Sequence, residues 1–469
     1  MLLERLKKDW EFFLFFFIIL VIVCISTSGH DVQRVGQVVI GALCCFYFFR
    51  CSGVCSIFYD VACYKFFCCI AIFGFFSVVF SRQFEWALVE VFVFIVFLCI
   101  ALMLCDVRRV EGEWCDVFLV FFVCFICSIK ISQFSAAVVS SFFSVSKTIN
   151  TDFLIEGFSN KRFYGQFQTF TLPLLALPLL LVTTKRSTLV WGFSLLSLWW
   201  LIAITGGTRG TWLGMGGSIV VLFMAGHTGK RWIAWQFPAI VVGITLYWLL
   251  FSVLTGYLGI EVNNFASDRL TTSLSNRGPL WQQAWDMIRE RPWLGFGPMH
   301  FADIHNPIAA HPHQAILQWA SEWGVPSTLL VMWLVGRGLW ATFRLIRERA
   351  TSNDPVDLLR VCLFASLIGA LTQSMVDGVI VMPYSQLWLS LVVGWLMGIH
   401  VWKGEPAKPN ALVHWSWMGV STAAVLFLVY IVIRDVPRLD ERNKLYQEQY
   451  GGHFQPRFWT QGVIASKPQ

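Results

Sequence analysis

Long apolar stretches, separated by short polar ones, run through almost the whole chain. Stretches such as residues 12–25 and 411–433 approach or reach the length needed to cross a hydrocarbon core of about 30 Å. Lipid offers no hydrogen-bond partner to the backbone, so such segments must be helices. The pattern therefore predicts an all-α polytopic membrane protein with about 12–13 transmembrane helices. The predicted spans are 11–28, 36–51, 65–80, 86–105, 116–134, 167–183, 188–205, 211–226, 232–254, 326–344, 358–378, 383–402 and 411–433.

Basic residues in the polar links orient these spans. The first stretch follows Lys7 and Lys8 without a small-residue cleavage site, so we interpret it as a span rather than a signal peptide. If the spans alternate, the basic links share the side of Lys7 and Lys8, which the positive-inside rule assigns to the cytoplasm. These links are residues 106–113, 185–186, 227–231, 344–357 and 403–408.

Two polar segments are left for the opposite, periplasmic side. One is an insert, residues 256–325, and the other is the tail, residues 434–469. Four predicted spans separate them, and an even number returns the chain to the same side. We expect a single membrane domain, residues 1–433, that contains the insert and is followed by the tail.

Composition narrows the possible partners. The chain is 57% hydrophobic and 13% charged, whereas soluble proteins carry about 25% charge. The net charge of +7 is explained by cytoplasmic loops, so membrane lipids are expected as partners and nucleic acid is not. Thirteen of the 14 cysteines fall between Cys24 and Cys127, within apolar stretches and short links. They are predicted to be packing residues, and a disulfide framework is the weaker alternative.

The insert contains the densest group of polar side chains. Four of the nine histidines lie in it, at His300, His305, His311 and His313. A histidine-rich tract can bind metal, but this spacing matches no zinc pattern and no cysteine is near, so neither a metal nor a cofactor is expected. The alternatives are one catalytic or binding histidine, or histidines with structural roles. His313 is predicted to open a helix over 313–322 that carries Leu317 and Gln318 on the same face.

A second helix is predicted earlier in the insert. The sequence Asn-Arg-Gly-Pro at 276–279 is typical of a helix start, and residues 280–289 that follow are amphipathic. Trp281 and Trp285 lie four residues apart on one face, which favours a position along the membrane interface.

Basic residues near the predicted periplasmic surface are candidates for binding an anion. Arg209 stands among glycines at 206–214, where backbone can approach a ligand closely. A guanidinium can meet the oxygens of a lipid-carried pyrophosphate in bidentate fashion. Arg277 is a second candidate, and Lys161 with Arg162 is a third because positive charge on this side opposes the orientation rule. The alternative for Arg209 is an arginine whose charged end reaches the membrane surface without a functional role.

Three motifs taken together resemble a bacterial enzyme family. They are Thr-Arg-Gly-x-Trp-Leu at 208–213, Asn-Arg-Gly at 276–278 with Pro-x-x-Gly-x-Gly at 292–297, and His-x-x-x-Leu-Gln-x-x-x-Glu-x-Gly at 313–324. Order, spacing and membrane side all agree with O-antigen ligases, O-antigen polymerases and the protein O-oligosaccharyltransferases that glycosylate pilins. The resemblance runs from about residue 160 to 395, and one departure is Gln314, where the family often has Asn.

The resemblance implies a metal-independent transfer of a whole glycan from undecaprenyl diphosphate to an acceptor hydroxyl on the periplasmic side of the inner membrane. It implies that His313 and Arg209 are catalytic, His313 by assisting the acceptor. Arg209 and Arg277 would hold the diphosphate, together with Arg162 and Lys161. Supporting roles fall to Glu322, Gln318 and His311, with Glu322 a candidate for orienting the His313 helix.

The resemblance leaves several acceptors open. A Ser or Thr of a pilin is favoured by the sequence Glu-Trp-Gly-Val-Pro at 322–326 and by the tail, which could contact a protein acceptor. The alternatives are the lipid A core, another lipid-linked repeat, or a flippase that moves the same lipid without chemistry. A flippase is disfavoured because the polar groups gather in the insert and not at the membrane midplane. The tail itself has an alternative role as an interfacial anchor, with Phe458 and Trp459 among the lipid headgroups.

Overall fold

A computed structural model describes residues 10–24, 29–50, 61–181, 185–263, 277–304, 306–402, 411–451 and 453–464, with backbone alone for 61–68. Asn276, His305 and the predicted link at 403–408 lie outside the described residues. The helices in chain order are α1 Trp10–Cys24, α2 His30–Arg50, α3 Val61–Val79, α4 Phe84–Glu111, α5 Glu113–Phe142, α6 Lys161–Leu175, α7 Leu177–Leu180, α8 Arg186–Thr205, α9 Arg209–Met224, α10 His227–Trp248, α11 Thr255–Leu258, α12 Arg277–Glu290, α13 Ala315–Trp323, α14 Val325–Glu348, α15 Pro355–Ser374, α16 Pro383–Gly398, α17 Ala411–Asp435 and α18 Leu439–Tyr450.

The all-α polytopic prediction is confirmed. Within the described ranges, eight helices are long and apolar enough to cross a membrane, namely α2, α4, α5, α8, α10 with α11, α14, α15, and α17 with α18. Within the described residues, twelve of the thirteen predicted spans fall on one continuous helix each, and the span 167–183 falls on the two helices α6 and α7. Some of these helices are shorter than the length needed to cross a membrane. They are α6, α9 and α16, which have only 15 or 16 residues each.

The predicted polar link at 106–113 is wrong in detail. Helix α4 continues to Glu111, and α5 begins at Glu113, so only Gly112 with φ of +74° separates the two helices. Arg108 donates two hydrogen bonds of 2.6 Å to Asp116, which also accepts one of 2.7 Å from the Trp395 indole. These polar side chains are buried at the junction of α4, α5 and α16 because they satisfy one another.

Helices α9 and α15 pack with their backbones almost in contact. A Cβ atom on Gly214 of α9 would lie 2.7 Å from the carbonyl oxygen of Gly369 on α15, which is closer than real Cβ contacts. Ser218, one turn later on α9, donates a hydrogen bond of 2.7 Å to the Ala365 carbonyl. Small residues in membrane helices permit such close approach, and here they bring the start of α9 against the end of α15.

The insert forms a small layer outside the helical bundle. A parallel pair of three-residue strands, Thr148–Asn150 and Glu261–Asn263, joins its start to the segment before α6. Helix α12 packs its apolar face against a separate core, whose buried members are Leu280, Ala284, Met287, Phe301 and Ala309. Trp285 is exposed at 46%, so the predicted amphipathic helix is present and leaves this indole outside its core.

The tail returns into the protein after continuing the last span. Helix α17 leads through a 3-10 turn at Val436–Arg438 into α18, and residues 453–464, here called the C-terminal strap, then cross the insert. Gln455 donates a hydrogen bond of 2.7 Å to the Asn306 carbonyl in the insert. Phe458 and Trp459 are 2% and 1% exposed. The alternative that these two rings anchor the tail among lipid headgroups is wrong, because the protein core covers them.

The close contact between α9 and α15 generates a first prediction. Gly214→Ala should lower the stability of the detergent-solubilised protein by about 1–3 kcal/mol, because the added methyl must push two backbones apart. Gly216→Ala on the same helix is the matched control, since no atom lies within 4 Å of its Cβ position. The control should be neutral or slightly stabilising, because Ala favours helix by about 0.5–1 kcal/mol over Gly. Equal thermal unfolding midpoints for the two variants would contradict this account.

Candidate functional site

Three helices begin on basic residues that approach one another. Helix α6 begins at Lys161 and Arg162, α9 at Arg209, and α12 at Arg277. The charges of Arg162 and Arg209 both act on Arg277, so the three guanidiniums form one group, here called the arginine cluster. Helix N-termini present free N–H groups and a partial positive charge, which together favour an anion.

The starts of α6 and α9 are held together by small polar contacts. Gly165 of α6 lies directly against the hydroxyls of Thr208 and Thr211, which hydrogen bond to each other at 2.8 Å. The preceding Gly207 has φ of +59°, a left-handed conformation that allows the chain to turn sharply into α9. Asn160 caps α6 by accepting a hydrogen bond of 2.8 Å from the Arg162 backbone. The sequence motif at 206–214 therefore forms a turn that points Arg209 and Arg162 to the same region.

A carboxylate follows the end of α15 and faces this region. Thr169 of α6 donates a hydrogen bond of 2.6 Å to Gln373, and Gln373 donates one of 3.2 Å to Asp377. Gly210 of α9 also lies against the Gln373 amide. The predicted span 358–378 is too long, since α15 ends at Ser374. The shorter helix places Asp377 in a turn, buried at 6% exposure.

His313 lies next to Asp377, in a backbone conformation that is rare for this residue type. Its φ is +53°, and its Nδ1 lies 3.9 Å from an Asp377 oxygen. The prediction that His313 opens the helix is wrong by two residues. Gln314 is the N-cap of α13 and accepts a hydrogen bond from the Leu317 backbone, so the helix begins after it. Unusual backbone conformations of this kind concentrate at functional sites.

His311 supports the position of His313. The two rings contact each other with centroids 4.1 Å apart, and His311 Nδ1 accepts a hydrogen bond of 3.3 Å from the His313 backbone. On its other side His311 packs against Gly378, where a Cβ would lie 2.6 Å from the ring. Trp281 of α12 donates a hydrogen bond of 3.1 Å to the Pro312 carbonyl between the two histidines. The His-Pro-His loop is thus fixed from three directions.

Burial keeps the His313 imidazole neutral. Desolvation lowers the pKa of His313 to about 4; Asp377 opposes the shift, and Arg162 and Arg277 add to it. Burial also lowers the pKa of His311, with His313 as the next cause. An imidazole that is neutral at pH 7 offers one ring nitrogen as a proton acceptor, and its lowered pKa makes it a weaker base than an ordinary histidine.

The site carries an excess of positive charge. Burial lowers the pKa of Arg277, although the neighbouring Asp377 raises it. Among the side chains of Arg162, Arg209, Arg277 and Asp377, positive charge therefore predominates. Within the part of the chain that the structure describes, the guanidiniums of Arg162 and Arg277 form no hydrogen bond or ion pair. This arrangement can hold a doubly charged anion such as a diphosphate diester.

The structure gives other partners to some of the predicted site residues. Lys161 forms an ion pair with Asp152, so its proposed contact with the diphosphate remains a prediction. His300 accepts a hydrogen bond of 2.8 Å from the Gln83 backbone and donates one of 2.8 Å to the Pro298 carbonyl, which indicates a structural role. Among the described residues, no three His, Cys, Asp or Glu side chains lie close enough together to hold a metal ion.

Gln318 and Glu322 lie on α13, away from the arginine cluster. Glu322 is 1% exposed and forms an ion pair of 2.6 Å with Arg457 of the C-terminal strap. Its other oxygen accepts a hydrogen bond of 3.0 Å from the Phe301 backbone. When the Gln318 amide is oriented with its oxygen toward Arg457, this oxygen accepts hydrogen bonds of 2.8 and 3.2 Å from the guanidinium. Both residues hold α13 in place.

Comparison with known families gives one match within the chain. Residues 192–332 match the family model for O-antigen ligase. The match confirms the resemblance drawn from the sequence motifs. It covers the chain from within α8 to within α14, including Arg209, Arg277 and His313. None of the curated proteins compared with the chain matches it.

Three residues of this candidate site were not predicted from the sequence. Asp377 and Gln373 were hidden in a predicted span, although an acidic residue at a span end is itself a functional signal. Arg457 lies 135 residues after its partner Glu322, and nothing in the local sequence distinguishes it from other tail arginines. Only the fold reveals these three contacts.

The geometry of His313 generates a second prediction. If neutral His313 is the active form, kcat/KM should stay constant as pH falls from 7 and decrease only near pH 4, because the ring protonates there. Asp377→Asn should move this decrease to lower pH, since the carboxylate raises the pKa of His313. A decrease near pH 6.5 in the unmodified enzyme, or a shift to higher pH in the variant, would contradict the assignment.

Proposed function

We propose that this protein transfers a whole glycan from undecaprenyl diphosphate to an acceptor hydroxyl on the periplasmic face of the inner membrane. The main support is the arginine cluster, because the guanidiniums of Arg162 and Arg277 lie close enough to His313 to act on its neutral imidazole. The O-antigen ligase match supports glycan transfer in general. The donor, the acceptor and the membrane side are part of the proposal.

In the proposed reaction the acceptor oxygen attacks the anomeric carbon of the glycan. The bond from that carbon to the diphosphate oxygen breaks, and the lipid diphosphate leaves with the electron pair. Arg209, Arg277 and Arg162 meet the negative charge that builds on the leaving group, as preorganised donors do in other enzymes. No metal is part of this proposal, because the guanidiniums supply the positive charge.

His313 takes the proton of the acceptor hydroxyl in this proposal. Its Nδ1 is buried toward Asp377, so Nε2 is the nitrogen that meets the acceptor. Asp377 stabilises the imidazolium that forms when the proton arrives, since a carboxylate nearby favours the charged ring. His311 is neutral and holds the backbone of His313 in its left-handed conformation.

The acceptor we propose is a Ser or Thr hydroxyl of a pilin. Helix α18 carries charged side chains at the surface between the last span and the C-terminal strap, where a protein acceptor has access. The second feature that favoured a protein, the motif at 322–326, also has a structural role at the joint of α13 and α14. Ligation to the lipid A core is the second candidate, because the matching family model is described as O-antigen ligase.

A third prediction tests how the donor is held. Arg209→Lys should weaken binding of a lipid-diphosphate glycan about tenfold to a hundredfold, since an ammonium cannot form the bidentate pair. His313→Ala is the opposite control, which should abolish transfer and keep donor affinity. Both quantities can be measured on purified protein with a fluorescent donor. Normal donor affinity and normal transfer in Arg209→Lys would remove the diphosphate role, and full transfer by His313→Ala would remove the role of the imidazole.

A fourth prediction separates the two acceptors. Cells that lack the gene should produce pilin whose intact mass is lower by one glycan, while the lipopolysaccharide ladder on a gel is unchanged. Restoring the gene should restore the pilin mass, and restoring the His313→Ala variant should not. Loss of the ladder with unchanged pilin mass would select the lipid A core as acceptor instead.

A further inference from the structure

The C-terminal strap is fastened to the bundle through its backbone. His30 Nε2 lies 3.1 Å from the carbonyl oxygens of both Arg457 and Phe458. Arg34, also on α2, donates to the same two oxygens at 3.1 and 3.2 Å. The Thr460 N–H donates a hydrogen bond of 2.7 Å to Asp31. One turn of α2 therefore fixes the position of the strap around residue 457.

The side chain of Arg457 points from the strap to the helix that follows His313. The guanidinium donates to Glu322 at 2.6 Å and to Glu90 of α4 at 3.2 Å, and Gln318 accepts two further hydrogen bonds from it. Its side chain is 0% exposed. Arg457 thus joins α13, α4 and the strap at one buried point.

Arg34 extends the same network to the carboxylate side of the site. It donates a hydrogen bond of 3.0 Å to the Val381 carbonyl and one of 2.8 Å to Gln386. Val381 ends the turn that carries Asp377 and Gly378. Each half of the proposed catalytic pair is therefore connected to the strap through one arginine. Arg457 connects the strap to the helix after His313, and Arg34 connects it to the turn that carries Asp377.

We propose that Arg457 is a positioning residue, which holds α13 so that His313 keeps its place beside Asp377. This inference rests on the proposed function, in which His313 assists the acceptor. Arg457 does not touch the arginine cluster in the described structure, so it should govern the transfer step and leave donor binding unchanged.

The chemistry of the contact favours positioning over a contribution to stability alone. Buried ion pairs often contribute little net stability, because the desolvation of both charges offsets their attraction. Arginine differs from lysine in its rigid fork of five donors, which can hold several acceptors in fixed directions at once. Burial alone lowers the pKa of Arg457, and the carboxylates of Glu322 and Glu90 more than offset this and raise it. The guanidinium therefore stays charged and connects the strap rigidly to α13 and α4.

A fifth prediction tests this role with three variants of the full chain. Arg457→Met should lower both the thermal unfolding midpoint and the transfer rate, because it leaves buried carboxylates uncompensated. The double variant Arg457→Met with Glu322→Gln removes one charge of each sign and leaves only the less buried Glu90 without its partner, so most of its unfolding midpoint should recover. Its kcat should remain about a hundredfold low, since a displacement of about 1 Å at a reacting group has that effect. Arg457→Lys keeps the charge, and its kcat should also fall by at least about tenfold.

Gln455→Ala is the matched control. It removes a contact between the same strap and the insert, but it does not touch α13, and it should keep a normal kcat. Donor affinity should be unchanged in every folded variant. Recovery of kcat together with stability in the double variant, or normal kcat in Arg457→Lys, would overturn the positioning role. Failure of the proposed function would be recognised separately. In that case His313→Ala would keep full transfer activity, whatever the Arg457 variants do.

Discussion

The repulsion among three guanidiniums at one point is the constraint on which the rest of the structure depends. Arg162, Arg209 and Arg277 belong to three different helices, and each stands at or near the start of its helix, where the helix dipole adds further positive potential. Such a concentration of like charge is unfavourable until an anion arrives. The scaffold must therefore hold the cluster together by contacts that do not involve these charges.

Those contacts are close backbone packing and short polar links. Gly214 lets α9 approach α15, and Gly165 lets α6 approach Thr208 and Thr211. Gln373 bridges α6 to Asp377. None of these contacts involves the guanidiniums, and all lie in a buried setting, where an unsatisfied polar atom is costly. The rigidity that this provides keeps the three charged side chains near one another, as the proposed binding of a diphosphate requires.

The second half of the site is held by the end of the chain. His313 has a left-handed backbone conformation, and α13 after it is only nine residues long. The C-terminal strap fixes that helix through Arg457, and α2 fixes the strap through His30 and Arg34. Residues from the beginning and the end of the chain thus determine where the histidine stands. Within the tail, the C-terminal strap acts as internal support, whereas α18 stays at the surface.

The sequence by itself determined the membrane class and the helical character of the spans, and it predicted the insert and the candidate residues Arg209, Arg277 and His313. These predictions follow from local properties of the sequence, namely the length of apolar stretches, the charge between them and short motifs. Such properties can be recognised without knowledge of the fold. It could not reveal Asp377, because a turn at the end of a span looks like part of the span. It could not reveal Arg457, because its partner Glu322 lies far away in the sequence. Only tertiary structure decided which charges meet, since burial and charge pairing depend on neighbours that the chain brings together after folding.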